Sequence, residues 1–118
     1  MTPPAPTPKL TYSVVVPVFN EEGNVDALAV RVLATMERLG EPFELLFVDD
    51  GSRDRTPELL RRLAARDPRV RVVRFTRNYG QEAAVEALYL NARGRWLIQM
   101  DGDLQHPPEE IPKLIAKR

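Results

Sequence analysis

At 118 residues the chain has room for one domain with a real apolar core. Lysine plus arginine and aspartate plus glutamate both number 17, so no basic surplus points to nucleic acid as a partner. Cysteine is absent, which excludes disulfides, thiolate metal sites and cysteine nucleophiles, and fits a reducing, cytoplasmic setting.

The opening MTPPAPTPKL carries prolines at 3, 4, 6 and 8 and little apolar bulk. Proline blocks helix and ladder hydrogen bonds, so residues 1–10 are expected to be a disordered tail and 11–118 the folded unit. The tail lacks the basic start and apolar stretch of a signal peptide. No apolar run approaches the roughly 18 residues that a membrane span needs, so the chain as given is expected to be soluble.

Tyr12 to Pro17 (YSVVVP) is a short β-branched run that reads as a buried strand. Val25, Leu28, Ala29, Val32, Leu33, Met36 and Leu39 then form an apolar stripe at helical spacing, ending at Gly40. Phe43 to Val48 is the second strand. Thr56 followed by Pro57 reads as an N-cap with proline in the first turn. Leu59, Leu60, Leu63 and Ala64 supply that helix's apolar face before Asp67-Pro68 stops it. Val70 to Phe75 is the third strand, and Gln81 to Asn91 a helix closed near Gly94. Trp96 to Met100 is the fourth strand, and Pro108 to Lys117 opens a fourth helix.

Strands and helices in strict alternation predict an α/β fold: a Rossmann-like parallel sheet with right-handed crossovers and helices on both faces. Ligands of such sheets bind beyond the carboxyl ends of the strands, where the strand order reverses. The loops that follow the four strands are PVFNEEG, DDGSRDRT, TRNYGQ and DGDLQHPP. Any one of them also reads as a polar cap on a sheet. Four in register favour a site.

Asp101-Gly102-Asp103 sets two carboxylates on either side of the residue that lets a backbone turn tightly. Mg²⁺ and similar hard cations are held by one or two carboxylates together with substrate phosphates, and neutralise a diphosphate leaving group. A lone DGD also serves as a polar Asx turn. Gln105 adds a neutral oxygen two residues on, whereas His106, between Gln105 and two prolines, reads better as a loop residue than as a ligand. At the end of the second strand, side chains alternate, so Val48 and Asp50 share a face and Asp49 points away. Asp50 can accept from a base N–H or a ribose hydroxyl, while Asp49 or Asp54 can instead cap the turn before Thr56. Phe19 offers a stacking face for a base and Glu21 an acceptor, although Phe19 alone reads as core and the glutamates suit a helix N-terminus. Arg77 can clamp a phosphate oxygen, or simply be a solvated surface arginine. The chain has no G-x-G-x-x-G and no G-x-x-x-x-G-K-[ST], nor a nucleophile elbow or second histidine. A nucleotidyltransferase would carry a Gly- and Lys-rich loop after its first strand, and PVFNEEG has no basic residue.

With VVVPVFNEEGN, FVDDGSRDRT, RNYGQEAA and MDGDLQHPPEEIP in this order, from Tyr12 to Pro112, the sequence resembles the family 2 glycosyltransferases of GT-A fold. It is most similar to the dolichyl-phosphate mannose synthases and their bacterial polyprenyl-phosphate relatives. RNYGQ with PPEEIP is particularly similar to the undecaprenyl-phosphate aminoarabinose transferases. The resemblance implies the nucleotide-sugar-binding half of such a fold and inverting transfer from a UDP- or GDP-linked sugar to a polyprenyl (undecaprenyl or dolichyl) phosphate, with Mg²⁺ or Mn²⁺. Pro17, Phe19, Glu21, Val48 and Asp50 match nucleotide-contacting positions, and Asp101 and Gly102 are expected to line the ribose and diphosphate. Arg77 joins the expected donor contacts on its own chemistry, as a phosphate clamp. Asp103 and Gln105 match metal ligands, with Asp101 near or on the metal, and Asp103 is the residue expected to matter most for catalysis. Phe19 stands where a tyrosine is common, and Gly102 where alanine is usual, a change not expected to affect ligation. A polyprenyl phosphate with a second pKa of about 6 is already largely dianionic near neutrality and needs no base.

Family members continue through acceptor-side strands and interfacial or transmembrane helices, so the chain is expected to be a truncated N-terminal portion, inactive alone. The full-length protein is expected at the cytoplasmic face of the membrane. The Trp96 to Met100 strand is expected to show an unpaired edge that invites self-association. A glycosyltransferase with a saccharide acceptor and a non-catalytic nucleotide-binding remnant are the alternatives.

Overall fold

The computed structural model describes residues 10–116. Its elements are β1 (Leu10–Val18), α1 (Val25–Leu39), β2 (Phe43–Asp49), α2 (Thr56–Arg66), β3 (Val70–Arg74), α3 (Gln81–Asn91), β4 (Gly94–Gln99) and α4 (Ile111–Ala116), the last preceded by a 3₁₀ turn at Pro108–Glu110. Leu10, placed in the tail by composition, begins β1; the rest of the expected tail, residues 1–9, lies outside the described residues, as does Lys117.

All strand pairings are parallel, in the order β3-β2-β1-β4. Val14 stands beside Leu45 on one side and Ile98 on the other. Because side chains alternate, Tyr12, Val14, Val16 and Val18 enter one core with Leu28, Val32 and Met36 of α1 and Leu60 of α2. Val15, Leu46 and Val48 enter a second core with Ala84 and Leu88 of α3. The sheet is thus covered on both faces, as the near-continuous apolar runs of β1 and β2 require. Successive units step outward from β1 to β3, then the chain returns to place β4 on the other side of β1. The strand order therefore reverses between β1 and β4.

Gly40 closes α1 in the left-handed region, with φ of 76° and its N–H on the Glu37 carbonyl. Gly94, expected to close α3 in the same way, does something else: α3 ends at Asn91 with Ala92 as its cap, and Gly94 is the first residue of β4. A Cβ at Gly94 would lie 2.5 Å from the Ser13 nitrogen, so glycine is needed for strand approach. Thr56 is likewise not the N-cap of α2. It is the first helical residue, and Asp54 Oδ1 accepts its N–H at 2.8 Å. The Thr56 hydroxyl is committed to the neighbouring loop, where it accepts the Glu21 N–H at 2.9 Å.

At the starts of the strands, opposite the informative loops, lies a buried polar cluster. Glu44 of β2 is 2% exposed. Its Oε2 accepts the Ser13 hydroxyl and the Arg93 N–H, each at 2.6 Å, and its Oε1 accepts Arg71 Nη1 at 2.7 Å. Ser13 Oγ in turn accepts the Gly94 N–H at 2.7 Å, and Arg71 Nη1 also donates to the Asn91 carbonyl at 3.0 Å. The cluster around this one carboxylate thereby links all four strands, β4 through Ser13.

Candidate functional site

Beyond the carboxyl ends of β1, β2 and β4 opens a cleft of about 330 Å³. Its walls are Pro17 and Val18 at the end of β1, Phe19 and Glu21 after it, Asp50 after β2, Gln81 and Ala84 of α3, and Asp101, Gly102 and Asp103 after β4. This is the switch point of the sheet, so the topology itself brings PVFNE and DGD together across about 80 residues of chain.

Asp50 projects to the α3 side, on the face it shares with Val48, and Asp49 to the other. Asp50 Oδ1 accepts the Tyr79 N–H at 2.8 Å and Oδ2 the Gly80 N–H at 3.1 Å. It therefore fixes the loop that launches α3, in addition to facing the cleft. Asp49 is fully buried and its Oδ1 accepts the Ser52 N–H at 2.9 Å. Gly51, with φ of 75°, lets that turn abut the third loop: a Cβ there would meet the Arg77 carbonyl carbon at 2.3 Å.

Of the residues singled out by sequence, Pro17, Phe19, Glu21, Asp50, Asp101, Gly102 and Asp103 share the cleft. Val48, Arg77 and Gln105 do not line it. Val48 is sealed in the core under α3. Arg77 is exposed and lies over the Tyr79 ring at 4.8 Å. Gln105 meets Asp103 through its backbone, its N–H donating to Oδ1 at 3.2 Å, so the DGD segment is also the Asx turn that a lone motif allows. Leu104 holds a left-handed backbone at φ of 61° and packs partly buried against the main core, which anchors the turn. Behind it Arg31 of α1 pairs with Glu109, and Pro108 and Ile111 are buried. Gln81 and Ala84 were not singled out from sequence, because a helix stripe gives no sign that its first turn borders a cleft on another strand.

The match to Glycosyl transferase family 2 runs from residue 13 to 117, nearly the whole chain. The chain belongs to that family. Curated relatives include the undecaprenyl-phosphate 4-deoxy-4-formamido-L-arabinose transferases of Pseudomonas paraeruginosa PA7, 49% identical over 113 residues, and of Pectobacterium atrosepticum, 48% identical over 105 residues. These matches cover 95% and 87% of this chain but 33% and 32% of those proteins, so the chain spans about a third of their length. Among solved structures, the mannosyltransferase PcManGT of Pyrobaculum calidifontis in complex with GDP-Man and Mn²⁺ superposes with a TM-score of 0.72 at 26% identity, covering 98% of this chain and 34% of that one. S. aureus TarS 1-349 in complex with UDP-GlcNAc superposes with a TM-score of 0.71 at 24% identity, covering 92% and 30%. The fold of this family 2 chain is that of the GT-A glycosyltransferases.

Gly102 deserves its place in the family 2 cleft for a steric reason. It is buried, and a Cβ added there would stand 2.9 Å from Val18 Cγ1 and 3.4 Å from Glu21 Cγ. Gly102→Ala is accordingly expected to cost about 1 kcal/mol or more through overpacking, without removing any carboxylate. Val18→Ala in the same chain should recover part of that loss. Urea unfolding of the two single variants and the double variant checks the coupling, and strictly additive effects would contradict the contact.

Proposed function

We propose that this chain forms the donor-binding part of a glycosyltransferase that moves a sugar from a nucleoside diphosphate sugar to a polyprenyl phosphate, with a divalent cation. The observation that carries the reading is the charge of the cleft. Glu21, Asp50, Asp101 and Asp103 line it, and none of the ten wall residues is basic. A diphosphate brought alone into such a wall would be repelled; a divalent cation shared between it and the carboxylates removes the conflict.

The donor set fits that ion. Asp101 and Asp103 offer hard oxygen ligands at the solvent-exposed side of the cleft, with Gln105 on the same turn as a further proposed ligand. Among the described residues no three acidic or histidine side chains converge on one metal position, so a bound cation would take its remaining ligands from phosphate oxygens and water. When bound, the cation supplies charge neutralisation for the departing diphosphate. The chain's own residues divide the rest of the work. Phe19, 42% exposed at the cleft, gives a face for the base. Glu21 and Asp50 accept from base or ribose donors, while Val48 belongs to the proposed nucleotide set by resemblance alone and Arg77 by an arginine's capacity to clamp a phosphate oxygen.

Displacement at the anomeric carbon then forms a bond to an oxygen of the acceptor phosphate and breaks the bond to the β-phosphate, with inversion. A phosphate monoester is already dianionic enough near neutrality to attack without a protein base. The relatives' names supply the acceptor class, an undecaprenyl phosphate, which supports a whole enzyme working at a membrane surface; the cytoplasmic side is part of the proposal. No helix among the described residues is long and apolar enough to cross a membrane. Isothermal calorimetry of UDP and GDP with the chain, in Mn²⁺, Mg²⁺ and chelator, tests the proposal. Affinity for one of the two nucleotides should strengthen with metal. No binding of either nucleotide in any condition overturns the donor site, and equal affinity with metal and chelator overturns the role of the cation.

A further inference from the structure

The loop after β1 brings Phe19 and Glu21 to the cleft, but Asn20 between them is not part of its wall. Asn20 instead faces the loop after β2. Its Oδ1 accepts the Arg53 N–H at 2.9 Å, and its own N–H donates to Ser52 Oγ at 2.8 Å. Its backbone is left-handed, at φ of 52°, a region that asparagine enters far more readily than most side chains.

The next two amides repeat the pattern. Glu21 N–H donates to Thr56 Oγ1 at 2.9 Å, and Glu22 N–H to Asp54 Oδ2 at 3.2 Å, while the Arg55 N–H reaches back to Glu22 Oε2 at 3.4 Å. Three consecutive amides of one loop are therefore held by three side chains of the segment that runs from the loop after β2 into the first residue of α2. The receiving loop is itself fixed, since Ser52 is buried with its N–H on Asp49, and Thr56 is fully buried. Nothing in this lattice requires a ligand. Its effect is to set where Phe19 and Glu21 stand relative to Asp50 and Asp101.

We propose that Asn20 is a positioning residue of the donor cleft, clamping the loop after β1 onto the loop after β2 without touching the nucleotide. The proposal rests on the donor-binding reading above. Two demands meet at this position: a backbone that accepts positive φ and a γ-position acceptor for the Arg53 N–H. Asparagine and aspartate meet both, glycine only the first, alanine neither.

The test compares Asn20→Asp, Asn20→Gly and Asn20→Ala in the full 118-residue chain. Nucleotide affinity is measured by calorimetry with Mn²⁺, stability by thermal melting, and local order by amide hydrogen exchange at residues 20–22 and 53. Asn20→Asp should bind within about threefold of the parent, while Asn20→Gly should bind about tenfold more weakly, the scale expected when a supporting contact is loosened. The melting temperature of Asn20→Gly should fall by only a few degrees, and exchange should accelerate at Glu21, Glu22 and Arg53. Should Asn20→Ala fail to fold, the Asp and Gly variants decide the matter alone. Parental affinity in Asn20→Gly overturns the proposal, as does weakened binding with unchanged exchange. A parent chain that binds no nucleotide overturns the donor reading instead; the exchange rates then judge the clamp, and unchanged protection in Asn20→Gly rejects it.

Discussion

Replacing Glu44 by alanine is expected to destabilise the chain by about 3–5 kcal/mol, the range seen when one partner of a buried ion pair is removed. The substitution strips a partner from the Ser13 hydroxyl, the Arg93 N–H and Arg71 at once, and opens a cavity in the sheet. With a typical domain stability of about 5–15 kcal/mol, that is a large fraction of the total. Glu44→Gln keeps the volume and one acceptor oxygen and should lose less. Burial pushes the Glu44 carboxyl up, but the Ser13 hydroxyl, the Arg71 guanidinium and the Arg93 N–H together hold it below the ordinary glutamate value. A carboxyl depressed in the folded state adds stability above its unfolded pKa, and that stability is lost as pH falls through the lower folded value. The parent should therefore weaken below about pH 4.5, and Glu44→Gln should show a flatter acid limb over the same window. Urea unfolding at neutral and acid pH checks both statements. A Glu44→Ala variant within about 1 kcal/mol of the parent would show that the four-strand tie contributes little.

Asp103→Ala is expected to remove most of the metal enhancement of nucleotide binding, about tenfold or more in affinity, equivalent to ~1.4 kcal/mol. Asp103 is exposed, and among the described residues its one hydrogen bond is from the Gln105 N–H, so the fold should survive with little change. Asp101→Ala should act in the same direction, since it is the other carboxylate of the turn at the cleft wall. His106 is exposed and outside that wall, so His106→Ala serves as the control that leaves metal dependence intact. Calorimetry in Mn²⁺ and in chelator, with a melting curve for each variant, separates lost ligation from lost folding. Undiminished metal enhancement in both aspartate variants would place the cation elsewhere.

Two kinds of feature in this chain differ in how far they could be seen before the structure. The alternation of strands and helices was legible because each element carries its own signal within a short window. VVV at β1, the stripe from Val25 to Leu39, the Gly40 stop and the span Gln81–Asn91 depend only on neighbours a few residues away. The parity that separates Asp49 from Asp50 is local for the same reason, and the placement of both residues follows it. The four loops were legible as a set because each directly follows a strand, and ligands of parallel α/β sheets bind beyond the carboxyl ends of the strands; the order that brings two of the loops together was not.

Other residues took their roles from partners far away in sequence. Gly94 reads locally as a helix stop, yet it is pressed against Ser13, 81 residues earlier. Thr56 reads as a cap, yet its hydroxyl is taken by Glu21, 35 residues away. Glu44 reads as a single polar residue in an apolar strand, and only the sheet order reveals that Ser13, Arg71 and Arg93 surround it. Gln81 and Ala84 reach the cleft because Asp50 holds the Tyr79 and Gly80 amides and so sets where α3 begins. Periodicity and turn chemistry act over a few residues, so the sequence by itself determined the elements, their faces and the loops that end them. Hydrogen-bond partners and the space left for a Cβ are set by which strands lie side by side. That decision belongs to the tertiary structure, which chose between a helix stop and a strand contact at Gly94, and between a cap and a cross-loop brace at Thr56.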